Sequence, residues 1–107
     1  MPNARDVLFR TLADPTRRAL FERLCREGEQ TVGALTARAR ISQPAVSKHL
    51  GVLKQAGLVR DRHEGRRTHY SARLSALAPL IDWTGQLAGF WGRRFDHLED
   101  LLKSMDQ

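Results

Sequence analysis

The sequence predicts a mainly α-helical fold carrying one small β-hairpin. Three observations support that class. Apolar residues recur at three- and four-residue steps through most of the chain, the period of helices that bury one face. Residues 41–59 read as a helix with a start signal, a buried stripe and a stop signal. Two short runs of strand character then flank the turn dipeptide Glu64-Gly65.

Each element has its own local cause. Ala4, Val7, Leu8 and Leu12 mark a short first helix. Asp14-Pro15 opens the second: the aspartate offers an acceptor to a free N–H, and proline's missing donor costs nothing at the first helical position. Leu20, Phe21 and Leu24 face inward, and Gly28 ends the helix. Thr31 is the expected cap of a third helix, with Val32, Leu35 and Ala39 as its buried stripe and Ile41 closing the segment. Ser42 is placed to cap a fourth helix spanning about 42–56, with Gln43 and Pro44 in its first turn. At about 100° per residue, Val46, Leu50 and Leu53 share one stripe, while Pro44, Ser47, Lys48, Gly51 and Gln55 fall opposite. Gly57 is the left-handed stop. Leu58 to Arg62 and Arg67 to Ala72 read as the strands of a hairpin, about 58–72.

A long last helix is expected over about 75–105, with Pro79 in its first turn. Leu77, Leu80, Ile81, Trp83, Leu87, Phe90, Trp91, Phe95, Leu98, Leu101, Leu102 and Met105 form a stripe too wide and too aromatic for packing on one small domain alone. Trp83, Leu87, Trp91 and Leu98 are therefore candidate dimerisation residues. Gly85, Gly89 and Gly92 lie near one face of this helix, where each costs about 1 kcal/mol relative to alanine. A close approach of two helices and a bent or frayed helix both account for them.

The 107 residues fit a single domain, and 41% hydrophobic content supplies a small core to which a dimer interface would add burial. No apolar run reaches membrane-spanning length, and Met1-Pro-Asn-Ala-Arg lacks the apolar segment of a signal peptide, so a cytoplasmic protein is expected. Cys25 is the only cysteine, which excludes an intrachain disulfide and a cysteine-rich zinc site. The net charge of +6 is uneven: residues 38–73 carry nine Lys/Arg against two Asp/Glu, residues 1–37 six against five, and residues 74–107 three against five. The excess coincides with the fourth helix and the hairpin, the footprint of a polyanion binder. No nucleophile–histidine–acid set, glycine-rich phosphate loop or carboxylate pair is evident, and Asp96-His97 are neighbours that do not face each other on a helix. Neither an enzyme nor a cofactor is expected.

A groove-sized helix followed by a basic hairpin is the layout of a winged helix-turn-helix DNA-binding domain. The major groove admits one helix, whose early residues reach base edges. Gln43 can pair with adenine, Pro44 and Ala45 can touch a thymine methyl, Ser47 can reach a base or a phosphate, and Lys48 can reach guanine or a phosphate. His49 lies toward the buried stripe, where packing and a phosphate contact both fit. Gly51 lies on the groove side, where the lack of a side chain would allow close approach. Arg62, Arg66 and Arg67 flank the hairpin tip and can lie along phosphates or enter a narrow minor groove, with His63 and His69 beside them. Tyr70 is read as packing at the hairpin base, Ser42 and Thr31 as caps, and Arg17 as a solvated surface residue.

The element order, with Leu12-Ala-Asp-Pro-Thr-Arg-Arg-Ala-Leu20 and Ser42-Gln-Pro-Ala-Val-Ser-Lys-His-Leu50, resembles the ArsR family of bacterial winged-helix repressors over nearly the whole chain. The resemblance implies a homodimer built on the first and last helices. It also implies binding to an inverted-repeat operator in double-stranded DNA and repression of its own or a neighbouring operon. Metal-sensing relatives place cysteines at a site corresponding to about Val32–Ala39, which holds none. Others place aspartate and histidine two apart on the last helix, where Asp82 is followed by Trp83 and Thr84. His97 with Asp96, Glu99 and Asp100 falls short of the four-ligand set a tight zinc site needs, so no metal ligand is assigned. The chain resembles the metal-independent branch. The alternatives are a sensor switched by metal at His97 or by oxidation of Cys25, and an interaction module that uses the fold without DNA. Cys25, beside Leu24 and without a second cysteine, is expected to be a small buried residue.

Overall fold

The computed structural model describes residues 2–105, with the side chain of Phe95 outside the description. Helices α1 (Ala4–Ala13) and α2 (Pro15–Glu27) lead into a short strand β1 (Gln30–Thr31), then α3 (Val32–Ala39), α4 (Gln43–Gln55) and the strands β2 (Val59–Glu64) and β3 (Arg67–Ala72). A 3-10 turn (Leu74–Leu77) precedes α5 (Ala78–Met105). The chain divides into two compact units, one running to Leu77 and one beginning at Ala78.

Side-chain caps set where the helices begin. Asp14 Oδ1 accepts the Arg17 N–H at 2.9 Å, Thr31 Oγ1 that of Ala34 at 3.0 Å, and Ser42 Oγ that of Ala45 at 3.3 Å. Asn3 does the same for Asp6 at 2.8 Å, a cap that sequence reading does not single out. Three residues link α3 to α4, and Arg40 turns the corner with φ 58, a left-handed conformation that costs a non-glycine residue about 1 kcal/mol. Gly57, with φ 81, ends the helical segment as expected, and the Leu58 N–H reaches back to the Leu53 carbonyl at 3.0 Å.

The core of the first unit is Leu8, Leu20, Phe21, Leu24, Leu35, Val46, Leu50, Leu53, Leu58 and Val59. Arg23 ties α2 to α3 by donating from Nη2 to the Ala34 carbonyl at 2.8 Å and from Nη1 to the Leu35 carbonyl at 3.2 Å. The sheet is antiparallel with strand order β1-β3-β2. Strand β1 was not legible, because two residues are too few to show an alternating pattern. Of the stripe expected on α3, only Leu35 is fully buried; Val32 and Ala39 are half-buried, since an eight-residue helix turns little of itself to the centre. Cys25 corrects a second expectation: it is exposed, because one residue past buried Leu24 is about 100° further round the helix.

In the second unit, α5 is 28 residues long, about 42 Å at 1.5 Å per residue. It runs without interruption through Gly85, Gly89 and Gly92, and a Cβ at any of them would meet open space. Leu87, Phe90, Trp91, Leu98, Leu101, Leu102 and Met105 are exposed, and Trp83 is half-buried. The Arg94 guanidinium stacks 4.3 Å from the Phe90 ring centre and 5.4 Å from that of Trp91, covering part of this apolar stripe.

Leu50 has no exposed surface, so Leu50→Ala should lower unfolding free energy by about 3 kcal/mol in urea denaturation. A loss below about 1 kcal/mol would mean that the α4 stripe does not anchor the core.

Candidate nucleic-acid interface

Helix α4 has two opposed faces. Val46, Leu50 and Leu53 are each 0% exposed, which fixes the rotation of the helix about its axis. Gln43, Pro44, Ser47, Lys48 and Gly51 are exposed, whereas Ala45 is half-buried between the faces. His49 is also half-buried, and its Nδ1 is enclosed without a hydrogen-bond partner. Packing thus accounts for part of the imidazole. A Cβ at Gly51 would meet nothing within 4 Å, so that position is open toward solvent.

The hairpin pairs Val59 with Ala72 through to Glu64 with Arg67, leaving Gly65 and Arg66 as a two-residue loop. Gly65 has φ 60, the positive value that the first loop residue of a type II′ turn requires. The turn therefore places Arg66 at the tip. Lys54, near the end of α4, donates to Asp61 of β2 at 3.0 Å and ties helix to hairpin. This bond holds the Asp61 carboxyl below its ordinary range. His63 Nε2 lies 3.6 Å from the same carboxylate, and its Nδ1 is 3.1 Å from Thr68 Oγ1.

A cleft of about 590 Å³ opens between these parts. The start of α3, from Thr31 to Ala34, forms one wall, and Gln43 and Ser47 of α4 form another. The wing contributes His63, Arg66, Arg67, Thr68 and Tyr70. Gln43, Ser47, Arg66 and Arg67, all singled out from sequence as DNA contacts, therefore meet at one cleft, with His63 beside them. Pro44 and Lys48 lie on the same exposed helix face but not in the cleft. Among the described residues, Lys48, Arg66 and Arg67 have no ion-pair partner. Sequence reading passed over Thr68 and Tyr70 as cleft residues; their two-residue spacing on β3, which puts them on one face, was the available signal. Burial, then the Asp61 carboxylate, pushes the Tyr70 phenol up, so at neutral pH it keeps its proton and can donate.

Arg62 is differently engaged. It does not line the cleft; its guanidinium forks onto Glu29, with Nη2 2.6 Å and Nε 3.1 Å from Oε1, and Nη1 lies 2.8 Å from Glu64 Oε2. The Arg62 hydrogen bonds hold both carboxyls below the usual range, and the two carboxylates in turn raise the guanidinium.

Away from the cleft, partial desolvation of the sulfur, followed by the neighbouring Glu22 carboxylate, raises the Cys25 thiol, which lowers its thiolate fraction at neutral pH. Among the described residues, no group of three or more His, Cys, Asp or Glu is placed to hold a metal ion. No helix there is long and apolar enough to cross a membrane.

A capped helix presenting a polar face beside a basic two-stranded wing defines the winged helix-turn-helix class. A helix-turn-helix domain model matches residues 12–62. The HTH-type transcriptional regulator Rv2034 of Mycobacterium tuberculosis is 46% identical over 90 residues, covering 79% of this chain and 83% of that protein. The transcriptional repressor SdpR of Bacillus subtilis is 36% identical over 76 residues, covering 71% and 83%. The crystal structure of an ArsR family transcriptional regulator superposes with a TM-score of 0.75 at 29% identity, covering 86% of this chain and 94% of that one. The chain belongs to the ArsR family of winged helix-turn-helix transcriptional regulators.

The depressed carboxyls make a pH prediction. Asp14, Glu27, Glu29, Asp61 and Glu64 all lie below their ordinary values, so the stability they contribute is present above those values and is lost as pH falls through the lowered ones. Thermal melts should be nearly flat from about pH 7 to 5 and shift down toward about pH 3. A melting temperature that rises on acidification through that range would contradict the ion pairs.

Proposed function

We propose that this chain is a homodimeric, metal-independent repressor that reads an inverted-repeat operator in double-stranded DNA. The observation that carries the reading is the cleft. It joins the exposed face of α4 to wing cations with no ion-pair partner, inside the segment that holds nine Lys/Arg against two Asp/Glu. In this reading Gln43, Pro44, Ala45 and Ser47 meet base edges in the major groove. Lys48, Arg66 and Arg67 hold phosphates, and the DNA strand between the two grooves passes along the cleft. His49 adds at most a contact through its exposed edge. Arg62, with its fork already occupied by Glu29, is assigned to the wing's support in place of a phosphate.

The exposed stripe of α5 supports the dimer. Leu87, Trp91 and Leu98 are exposed along three turns of one helix and continue from half-buried Trp83, and an apolar stripe of that length marks an interaction surface. An inverted repeat read by two copies of α4 places them about 34 Å apart, one turn of DNA. Repression is supported by the relative named as a transcriptional repressor. Metal independence is supported by the cysteine-free α3 and by the sparse ligand set around His97. A redox switch at Cys25 has one favourable observation, its exposure, against the raised thiol. Mild peroxide should leave DNA affinity of wild type and Cys25→Ser equal; loss in wild type alone would favour the switch.

If about six phosphates per dimer are neutralised, the logarithm of affinity should fall against the logarithm of salt with a slope of about −5. Lys48→Ala with Arg66→Ala should weaken binding and flatten that slope by about 1 per lost contact. An unchanged slope and affinity would favour an interaction module without DNA. Separately, Trp91→Glu should give a monomer in sedimentation velocity at micromolar concentration and weaken binding to an inverted repeat. A wild-type chain that sediments as a monomer under those conditions would defeat the dimer.

A further inference from the structure

The Glu29–Arg62 pair joins residues 33 positions apart and crosses the sheet from one edge to the other. In the strand order β1-β3-β2, Glu29 immediately precedes β1 at one edge and Arg62 lies on β2 at the other. The strand between them contributes His69, which is paired with Thr31 on one side and Arg62 on the other. His69 Nδ1 is 3.6 Å from Glu29, and its Nε2 is 3.7 Å from Glu64. Strand β1 is only two residues long, so its backbone ladder alone gives the hairpin little purchase on the helical body. Glu29 itself is fixed from the other side, because Gly28 turns the chain out of α2 with φ 81 and donates to the Leu24 carbonyl at 3.0 Å.

We infer that Glu29 is a positioning residue for the wing: by strapping Arg62 across β3 it sets the angle of the hairpin to α3 and α4, and so the cleft into which Arg66 and Arg67 reach. The inference rests on the DNA-binding reading and deepens it. It also explains a carboxylate beside a surface meant for a polyanion. On charge alone Glu29 opposes DNA, and freeing Arg62 would add a cation for phosphate. Electrostatics without positioning therefore predicts that Glu29→Gln binds DNA more tightly. Positioning predicts the opposite sign.

The test uses the full chain and a duplex that the wild-type protein recovers from a random-sequence pool. Glu29→Gln should bind about two- to fivefold more weakly, the size expected of a half-exposed ion pair. Hydroxyl-radical protection should fade at the minor-groove flanks, while protection of guanine N7 from dimethyl sulfate in the central major grooves persists. Glu29→Gln with Arg62→Gln should be no weaker than Arg62→Gln alone, since one strap is lost once. Arg62→Lys keeps the charge but not the two-sided fork, so it should match Arg62→Gln and not wild type. This variant decides the matter if Glu29→Gln folds poorly. Binding by Glu29→Gln as tight as wild type or tighter, or full affinity in Arg62→Lys, would overturn the positioning role. Failure of the wild-type chain to retain any duplex at low salt would instead overturn the DNA-binding reading beneath it.

Discussion

The polar face that α4 turns toward the cleft depends on the burial of one stripe of the same helix. Val46, Leu50 and Leu53 have no exposed surface, and Leu58 and Val59 continue the core directly into β2. Burying each of these side chains contributes on the order of 2 kcal/mol, far more than any single surface contact. The core therefore dictates which way α4 faces, and Gln43, Pro44, Ser47 and Lys48 are exposed because the other side is already committed. A helix held this rigidly can present side chains with the regularity that base recognition needs.

The surface charges divide by role. Lys54 is bonded to Asp61, Arg38 to Glu27, and Arg62 to Glu29 and Glu64, each joining one element to another or bracing the hairpin. Arg23 reaches carbonyls of α3. Lys48, Arg66 and Arg67 lack such partners among the described residues. The acidic residues of the basic segment thus serve construction. Their pairing leaves the cations at the cleft free to meet an external anion.

What was legible in the sequence was what is local. The caps at Asp14, Thr31 and Ser42, the stop at Gly57 and the turn at Gly65 each depend on a few consecutive residues, and each is found. The helical stripe of α4 repeats often enough to fix its face. What escaped depends on distant partners. Nothing near Arg62 in the chain distinguishes it from Arg66 or Arg67; only the fold, by pairing β1 with β3, brings Glu29 within its reach. The same holds for Tyr70, which joins a cleft whose other walls lie on α3 and α4. Cys25 is exposed against expectation because an apolar neighbour in sequence says little about burial on an amphipathic helix.

In the proposed complex, α4 and the wing grip one DNA strand from its two sides, and chemical interference mapping on a selected duplex reads out both contacts at once. Methylation of guanine N7 should interfere in two major-groove clusters about one helical turn apart. Phosphate ethylation should interfere on the strand running from each cluster to the adjoining minor groove. Interference confined to the minor groove, or spread evenly along the duplex, would contradict that arrangement.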